Sequence, residues 1–234
     1  MSVVEEILRT GTIVVSGRLI DASNATLLAD CKLGDEVVRC IYKPIAGERP
    51  LWDFPDGNLA SREFAAFLIS EFMGAHIVPI TILRDGPFGT GMVQEWIDID
   101  SSIDLAEYFG RDEIQLRQMA LFDAVINNTD RKIGHLLPRN DGKLFGCDHG
   151  VTFHQENKLR TVLWQWAGSE LSIEEIHVLE KLLVKLQSTE GDVLRTLLTI
   201  DELRALNDRI QELISTKAFP LPSTDWPAIP WPAF

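Results

Sequence analysis

Two aspartates lie in polar segments that interrupt an otherwise apolar stretch of the chain, Asp130 and Asp148, 18 positions apart. The first is surrounded by polar or charged side chains, Asn127, Asn128, Thr129, Arg131 and His135. The second is flanked by Cys147, His149 and Gly150. Folding alone rarely requires so many polar groups between an apolar helix and an apolar strand, because buried polar groups cost free energy unless they are paired. We therefore take the two aspartates as the centre of a candidate active site.

A lysine and a glutamate earlier in the chain add the charges that a phosphate site needs. Lys43 ends the strand-like segment EVVRCIYKP, and Glu63 lies in the first turn of the helix predicted next. Phosphoryl transfer requires a cation for the phosphates, an anion to hold that cation, metal ligands and a group that orients the attacking hydroxyl. Together with the two aspartates, Lys43 and Glu63 supply one candidate for each of these groups. The sequence therefore predicts a cleft that binds nucleotide phosphates.

Each of these residues also has an ordinary structural explanation. A lysine at a strand end is usually solvated, a glutamate in a first helical turn is favoured by the helix dipole, and an aspartate often closes a turn. A zinc site is a weaker alternative. Its candidate ligands are His135, Cys147, His149 and His154, and they lack the second closely spaced pair that zinc sites usually have. A serine hydrolase has less support, since no serine lies in a G-x-S-x-G turn.

The elements predicted over residues 1–96 form a small β-rich lobe. A short amphipathic helix at residues 3–9 is followed by three alternating, β-branched segments, which indicate an antiparallel meander with a turn at residues 21–24. A helix capped by Ser61 and two strands around an Asp85–Gly86 turn complete this lobe. Backbone and hydroxyl groups at the 21–24 turn could donate to a phosphate, although an ordinary turn explains them equally well.

The remaining chain is predicted to be mainly helical, with a lobe at residues 97–218 that carries both aspartates. The predicted helix starts are Asp112 and two capping boxes, Ser172 with Glu175 and Thr199 with Glu202. Residues 219–234 hold five prolines and two tryptophans, which predicts an extended strap packed on its own domain. The expected fold is thus α+β and two-lobed, with an antiparallel N-lobe sheet and one main helix.

Composition limits the partners of this chain. Hydrophobic residues make up 45% and charged residues 24%, as in a soluble globular protein, and the acidic N-terminus has no signal-peptide pattern. Three cysteines without paired spacing suit reduced thiols, so we expect a cytoplasmic location. A formal net charge of −13 repels phosphate backbones and anionic headgroups, so we expect neither nucleic-acid binding nor stable membrane association.

The polar core resembles a known catalytic motif. Asn128-Thr129-Asp130-Arg131, followed by Asp148-His149-Gly150, is similar to the N-T-D-R … D-N-G core of the phosphatidylinositol 3-/4-kinase-like superfamily. Type II phosphatidylinositol 4-kinases are nearest, and HipA-like serine kinases are more distant. The segments IYKP, PLWDFPDGNLASREFAAFL and DWPAIPWP resemble a small actinobacterial family within that superfamily, so the likeness spans essentially the whole chain. This resemblance implies a protein-kinase-like fold and an enzyme that uses ATP with Mg²⁺ or Mn²⁺.

The resemblance also implies a role for each matching residue. Lys43 would bind the α- and β-phosphates and pair with Glu63. Asp130 would orient or deprotonate the acceptor hydroxyl, and Asp148 would bind the metal ion. Two further groups would bind the nucleotide, the hinge residues Gln94, Glu95, Trp96 and Ile97 through their backbone and the hairpin residues Ser23 and Asn24.

One position departs from the family pattern. The asparagine that provides the second metal ligand, five residues after the catalytic aspartate, is His135 here. Mg²⁺ prefers oxygen to imidazole nitrogen. His135 therefore contacts phosphate, another oxygen replaces it, the site holds a different metal, or the protein is a nucleotide-binding pseudokinase. We expect a kinase whose acceptor is a protein or small-molecule hydroxyl, because a strongly acidic chain without a basic or amphipathic surface suits a lipid substrate poorly.

Overall fold

The N-terminal part of the protein is a five-stranded antiparallel sheet with one long helix between its third and fourth strands in the sequence. The computed structural model describes residues 1–19 and 24–234. Its elements are α1 (Val3–Thr10), β1 (Thr12–Arg18), β2 (Leu27–Leu33), β3 (Glu36–Pro44), α2 (Leu59–Phe72), β4 (Thr81–Gly86) and β5 (Gly89–Glu95). The strand order is β1-β2-β3-β5-β4, with antiparallel neighbours throughout. The predicted meander and its two additional strands are confirmed.

The C-terminal part is mainly helical. Its elements are α3 (Leu105–Tyr108), α4 (Ile114–Ile126), the hairpin β6 (Leu136–Pro138) and β7 (Leu144–Gly146), α5 (Ile173–Leu186) and α6 (Ile200–Thr216). Residues 219–234, all within the described part of the chain, contain no helix or strand. No helix in the described ranges has the length and apolar character needed to cross a bilayer. The predicted α+β organisation is confirmed.

Helix starts were predicted correctly where the capping box is complete. The Ser172 and Thr199 hydroxyls each accept the backbone N–H three residues later, and the glutamate carboxylate at that position accepts the N–H of the capping residue. Two other starts were wrong. Asn58, not Ser61, caps α2, since its Oδ1 accepts from the Ser61 N–H at 2.7 Å. Asp112 does not cap α4, because its carboxylate instead accepts from the Trp166 indole at 3.1 Å.

The helix α2 belongs to the helical core although it lies between strands in the sequence. Ala65, Ile69 and Met73 pack in the large apolar cluster formed with α4, α5 and α6, whereas a smaller cluster lies between α1 and the sheet. A buried ion pair adds to this attachment: Arg62 Nε lies 2.7 Å from Glu202 Oε1 at the start of α6. Because α2 is fixed on two sides, Glu63 is held at a set position between sheet and helices.

Candidate active site

Lys43 lies between two carboxylates that come from different parts of the chain. Its Nζ is 2.7 Å from Glu63 Oε1 on α2 and 2.8 Å from Asp148 Oδ1 in the loop after β7. The Glu63 side chain is 1% exposed, whereas that of Asp148 is 50% exposed. The structure thus brings together three of the residues selected from the sequence, with one acid buried behind the lysine and one facing solvent.

The charges in this cluster stabilise one another. Burial alone would lower the pKa of Lys43, but the carboxylates of Asp148 and Glu63 raise it above its ordinary value. The Lys43 ammonium in turn holds the pKa of Asp148 well below its usual range. Asp148 also adopts φ 60°, a backbone region that aspartate tolerates better than most residues. At neutral pH the site therefore presents an ionised, half-exposed carboxylate beside a cation.

Asp130 lies on the tight loop that follows α4. Asn127 ends the helix in the left-handed region, with φ 50°, and Asn128 Oδ1 then accepts the Asp130 backbone N–H at 3.0 Å. Thr129 fixes the loop through its hydroxyl, which donates to Val151 O at 2.8 Å. Burial raises the pKa of Asp130, and the ammonium of Lys132, 3.6 Å from its Oδ2, partly opposes this shift. A carboxylate with a raised pKa is a stronger proton acceptor.

A fully buried ion pair joins the loops of the two catalytic candidates. Arg131 Nη2 lies 2.9 Å from Asp123 Oδ1, and neither side chain is exposed. The same guanidinium donates to Cys147 O at 3.1 Å and lies 2.7 Å from His149 Nε2. Arg131 therefore connects the loop of Asp130 to the residues on either side of Asp148.

Sequence reasoning assigned no role to Asp123 or to the backbone of His149. Asp123 accepts from Arg131 and also from Asn128 Nδ2 at 3.0 Å, so it fixes the loop that carries Asp130. The His149 N–H donates to Glu63 Oε2 at 2.9 Å, which ties the Asp148 loop to α2. The available signal for Asp123 is an acid among apolar residues near the end of a helix, eight positions before an arginine.

Of the residues expected to bind nucleotide, the structure places Asn24 beside this cluster. Asn24 lines a small cavity together with Lys43, Glu63 and Asp148, while Ser23 lies outside the described residues. In the hinge segment, the Gln94 amide donates to Thr81 Oγ1 at 2.9 Å. The N–H groups of Glu95 and Trp96 already donate to Ile80 O and Arg39 O, at 2.8 and 3.0 Å. Ile97 N–H has no partner among residues 1–19 and 24–234.

His135 lies beside the carboxylate oxygen of Asp148 that does not contact Lys43. Its Nε2 lies 3.5 Å from Asp148 Oδ2, and its Nδ1 accepts the Lys132 N–H at 3.4 Å. Burial lowers the pKa of His135 to about 4, so the ring is neutral at neutral pH. An acceptor role for Nδ1 places the remaining proton on Nε2, directed at Asp148. Among the residues that the structure describes, no three His, Cys, Asp or Glu side chains form a group that could hold a metal ion.

Comparison with known proteins places this chain in a family. The chain is 41% identical to Protein Rv2133c of Mycobacterium tuberculosis, and the match covers 97% of this chain and 94% of that protein. The chain belongs to the family of Protein Rv2133c. No family model matches the sequence.

Solved structures with the same architecture include kinases. A hydra Fam20 structure with sugar has a TM-score of 0.56 at 13% identity, covering 90% of this chain and 86% of that one. The Golgi casein kinase with Mn/ADP bound has a TM-score of 0.55 at 12% identity, covering 91% and 75%. The Helicobacter pylori proinflammatory kinase CtkA gives 0.52 at 11% identity, covering 90% and 94%. The predicted kinase-like fold is therefore confirmed.

The proline-rich C-terminus packs beside the segment that follows Asp130. Ala233 O accepts the Ile133 N–H at 2.9 Å, and Ala228 O accepts both the Thr161 N–H at 3.0 Å and the Trp164 indole at 2.9 Å. These bonds attach residues 228–233 to Ile133, Thr161 and Trp164 of the same chain, whereas the side chain of Trp231 is 91% exposed.

Removing residues 228–234 is expected to lower the melting temperature by roughly 5–10 °C, because three hydrogen bonds of about 1 kcal/mol each are lost. Differential scanning calorimetry would measure the shift. The control is Trp231→Ala, which changes a side chain that is 91% exposed and should leave the melting temperature unchanged. A truncated protein as stable as the full chain would contradict this role of the strap.

Proposed function

We propose that this protein is an ATP-dependent phosphotransferase of the phosphatidylinositol 3-/4-kinase-like group. The observation that carries the proposal is Lys43 held at 2.7 and 2.8 Å between Glu63 and Asp148. A lysine fixed by a buried acid, next to an ionised acid that faces solvent, suits phosphate and metal binding at one place. The kinase-like fold supports the same reaction class, and one of the matched structures contains Mn/ADP.

In this proposal the charged cluster binds the nucleotide phosphates and the metal ion. Lys43 would contact the α- and β-phosphates, and Glu63 would keep its ammonium in place. The half-exposed carboxylate of Asp148 is the kind of oxygen ligand that Mg²⁺ and Mn²⁺ accept. A bound metal ion would neutralise charge on the phosphates. Asn24 would contact the nucleotide, as would Ser23, which lies outside the described residues, and the Ile97 N–H, which has no partner in the described part of the chain, would be the hinge donor.

Asp130 would act on the acceptor. It would orient the acceptor hydroxyl and take its proton at a carboxylate oxygen, and its raised pKa supports this role. Lys132, 3.6 Å away, would stabilise the charge that Asp130 carries before the proton arrives. We propose a protein or small-molecule hydroxyl as the acceptor, because a net charge of −13 opposes approach to an anionic membrane surface.

Nucleotide binding tests this proposal directly. Titration calorimetry should detect ATP binding that requires Mg²⁺ or Mn²⁺, and Lys43→Met should weaken that binding about tenfold or more, as expected for the loss of a charged hydrogen bond. The matched control is Lys32→Met, an exposed lysine on the neighbouring strand β2, which should bind ATP like the wild type. No metal-dependent ATP binding by the wild type would overturn the proposal.

The choice of metal ion depends on His135. His135→Asn replaces an imidazole with an amide oxygen, so we expect Mg-ATP to bind about tenfold more tightly and Mn-ATP to change less. Titration calorimetry in each metal measures both effects. The control is His135→Ala, which adds no oxygen ligand and should not improve Mg-ATP binding. If His135→Asn and His135→Ala respond alike in both metals, the side chain at position 135 does not reach the metal ion.

A second candidate function is a nucleotide-binding pseudokinase that acts as a scaffold. The observation that favours it is the neutral His135 at the position of the second metal ligand, with its Nε2 directed at Asp148 rather than free to bind metal. This alternative predicts the same ATP binding but no phosphoryl transfer to any acceptor, including water.

A further inference from the structure

Cations lie beside Asp130, although the chain as a whole is strongly acidic. Lys132 Nζ is 3.6 Å from Asp130 Oδ2. Arg160 is attached to the same loop through its backbone, because its N–H donates to Asn128 O at 2.9 Å and its carbonyl accepts the Arg131 N–H at 3.1 Å. Burial raises the pKa of Asp130, and the charges of Lys132 and Arg160 both oppose that shift. Two cations at this position, in a chain with net charge −13, indicate a local requirement for positive charge.

The Arg160 guanidinium has no hydrogen-bond or ion-pair partner within residues 1–19 and 24–234. Its Nε is buried, but Nη1 and Nη2 are not, since the side chain as a whole is only partly buried. Two neighbouring cations differ in this respect. Arg131 is fully buried in its ion pair, and the ammonium of Lys158 lies 4.3 Å from the centre of the Trp226 ring. A ligand can therefore contact the outer nitrogens of Arg160 without breaking an existing pair.

Cations beside a proposed base can select the acceptor by its charge. In the proposed phosphotransfer the acceptor hydroxyl approaches Asp130, so the rest of the acceptor lies near Lys132 and Arg160. The planar guanidinium of arginine can bind two oxygens of one phosphate, and lysine adds a point charge. Two cations match the two negative charges of a phosphate monoester. An extended acidic peptide fits less well, because its other acids would approach a chain of net charge −13.

We propose that the acceptor is a small hydroxyl compound that already carries a phosphate monoester, and that Arg160 and Lys132 bind this phosphate. The inference rests on the proposed phosphotransfer and names its acceptor class. In the transfer step, the acceptor oxygen forms a bond to the γ-phosphorus of ATP while the bond from that phosphorus to the β–γ bridging oxygen breaks. ADP leaves with the electron pair of the broken bond, and the hydroxyl proton passes to Asp130. The product carries two phosphates.

Titration calorimetry with glycerol 3-phosphate and glycerol tests the phosphate preference on the full-length protein. Metal-dependent ATP binding by the same sample is measured beside it, so that a failure of the proposed function is recognised separately. Glycerol 3-phosphate should bind about tenfold to a hundredfold more tightly than glycerol, as expected for hydrogen bonds between charged groups. If ATP binds but the two compounds bind alike, or glycerol 3-phosphate does not bind at about 10 mM, the acceptor assignment is wrong while the proposed function stands.

Two variants and a control locate the bound phosphate. Arg160→Gln should remove most of the preference for glycerol 3-phosphate, and the fold should be retained because Arg160 holds the loop through backbone atoms. The control Arg195→Gln, at a side chain 68% exposed between α5 and α6, should keep the preference. Lys43→Met should also keep it, since Lys43 is assigned to the nucleotide phosphates. Loss of the preference in Lys43→Met but not in Arg160→Gln would place the phosphate at the nucleotide site and overturn the inference.

Acceptor kinetics give a readout that a merely structural role of Arg160 would not change. With glycerol 3-phosphate as acceptor, Arg160→Gln should raise the KM for that compound about tenfold and change kcat less, because it removes binding of a group that does not react. A lower kcat at an unchanged KM would overturn the assignment of Arg160 to the acceptor phosphate.

Discussion

Asp148→Asn is expected to reduce phosphoryl transfer about 10³-fold while the protein remains folded. Asp148 Oδ1 lies 2.8 Å from Lys43 Nζ and its side chain is half exposed, so the carboxylate can contact both the lysine and an incoming metal ion. An amide keeps the shape but removes the charge that would hold the metal ion. Initial rates of ADP formation measure the loss, and thermal unfolding checks the fold.

A matched control separates this effect from a general loss of negative charge. Asp141→Asn changes an acid in the hairpin between β6 and β7. The Asp141 side chain is 42% exposed and lies 3.4 Å from Arg139, and it has no assigned role in phosphate or metal binding. We expect its transfer rate to equal that of the wild type. If Asp148→Asn retains more than about a tenth of the wild-type rate, the metal-binding role assigned to Asp148 is wrong.

Arg131→Met is expected to lower the free energy of unfolding by about 3–5 kcal/mol, because it leaves the Asp123 carboxylate buried without its cation. The double variant Asp123→Leu/Arg131→Met should recover part of this loss, since no isolated charge then remains in the core. Recovery should be incomplete, because Asp123 also accepts from Asn128 and Thr161. Urea unfolding of the two single variants and the double variant measures the coupling.

The control for this cycle is Arg195→Met, which removes an arginine that is 68% exposed and paired with Asp192. An exposed pair contributes about 0–1 kcal/mol, so its unfolding free energy should change little. Strictly additive effects of Asp123→Leu and Arg131→Met would contradict the view that the buried pair acts as one unit joining the loops of Asp130 and Asp148.

Local patterns in the sequence were enough to predict most elements. Alternation of apolar residues predicts β2 and β3, and complete capping boxes predict the starts of α5 and α6, because both signals depend on residues within a few positions of one another. The start of α2 was misplaced since Asn58 and Ser61 are equally good caps by type, and only the backbone conformation distinguishes them.

Pairings between residues that are distant in the sequence could not be predicted from local patterns. Arg62 and Glu202 are 140 positions apart, and only the packing of α2 on α6 brings them together. Lys43, Glu63 and Asp148 could be selected as site residues from their residue types and their order in the sequence. Their distances, the left-handed backbone of Asp148 and the choice of nitrogen that His135 presents depend on the folded loops.

The most direct test of the proposed phosphotransfer is ADP formation from Mg-ATP and Mn-ATP, followed by ³¹P NMR for the wild type and Asp130→Asn. This measurement detects transfer to the protein itself, to an added hydroxyl compound or to water. We predict turnover by the wild type and a loss of about 10²–10⁴-fold in Asp130→Asn, with ATP binding retained. ATP binding by the wild type without any ADP formation, in either metal and with every acceptor tried, would contradict the account and identify a pseudokinase.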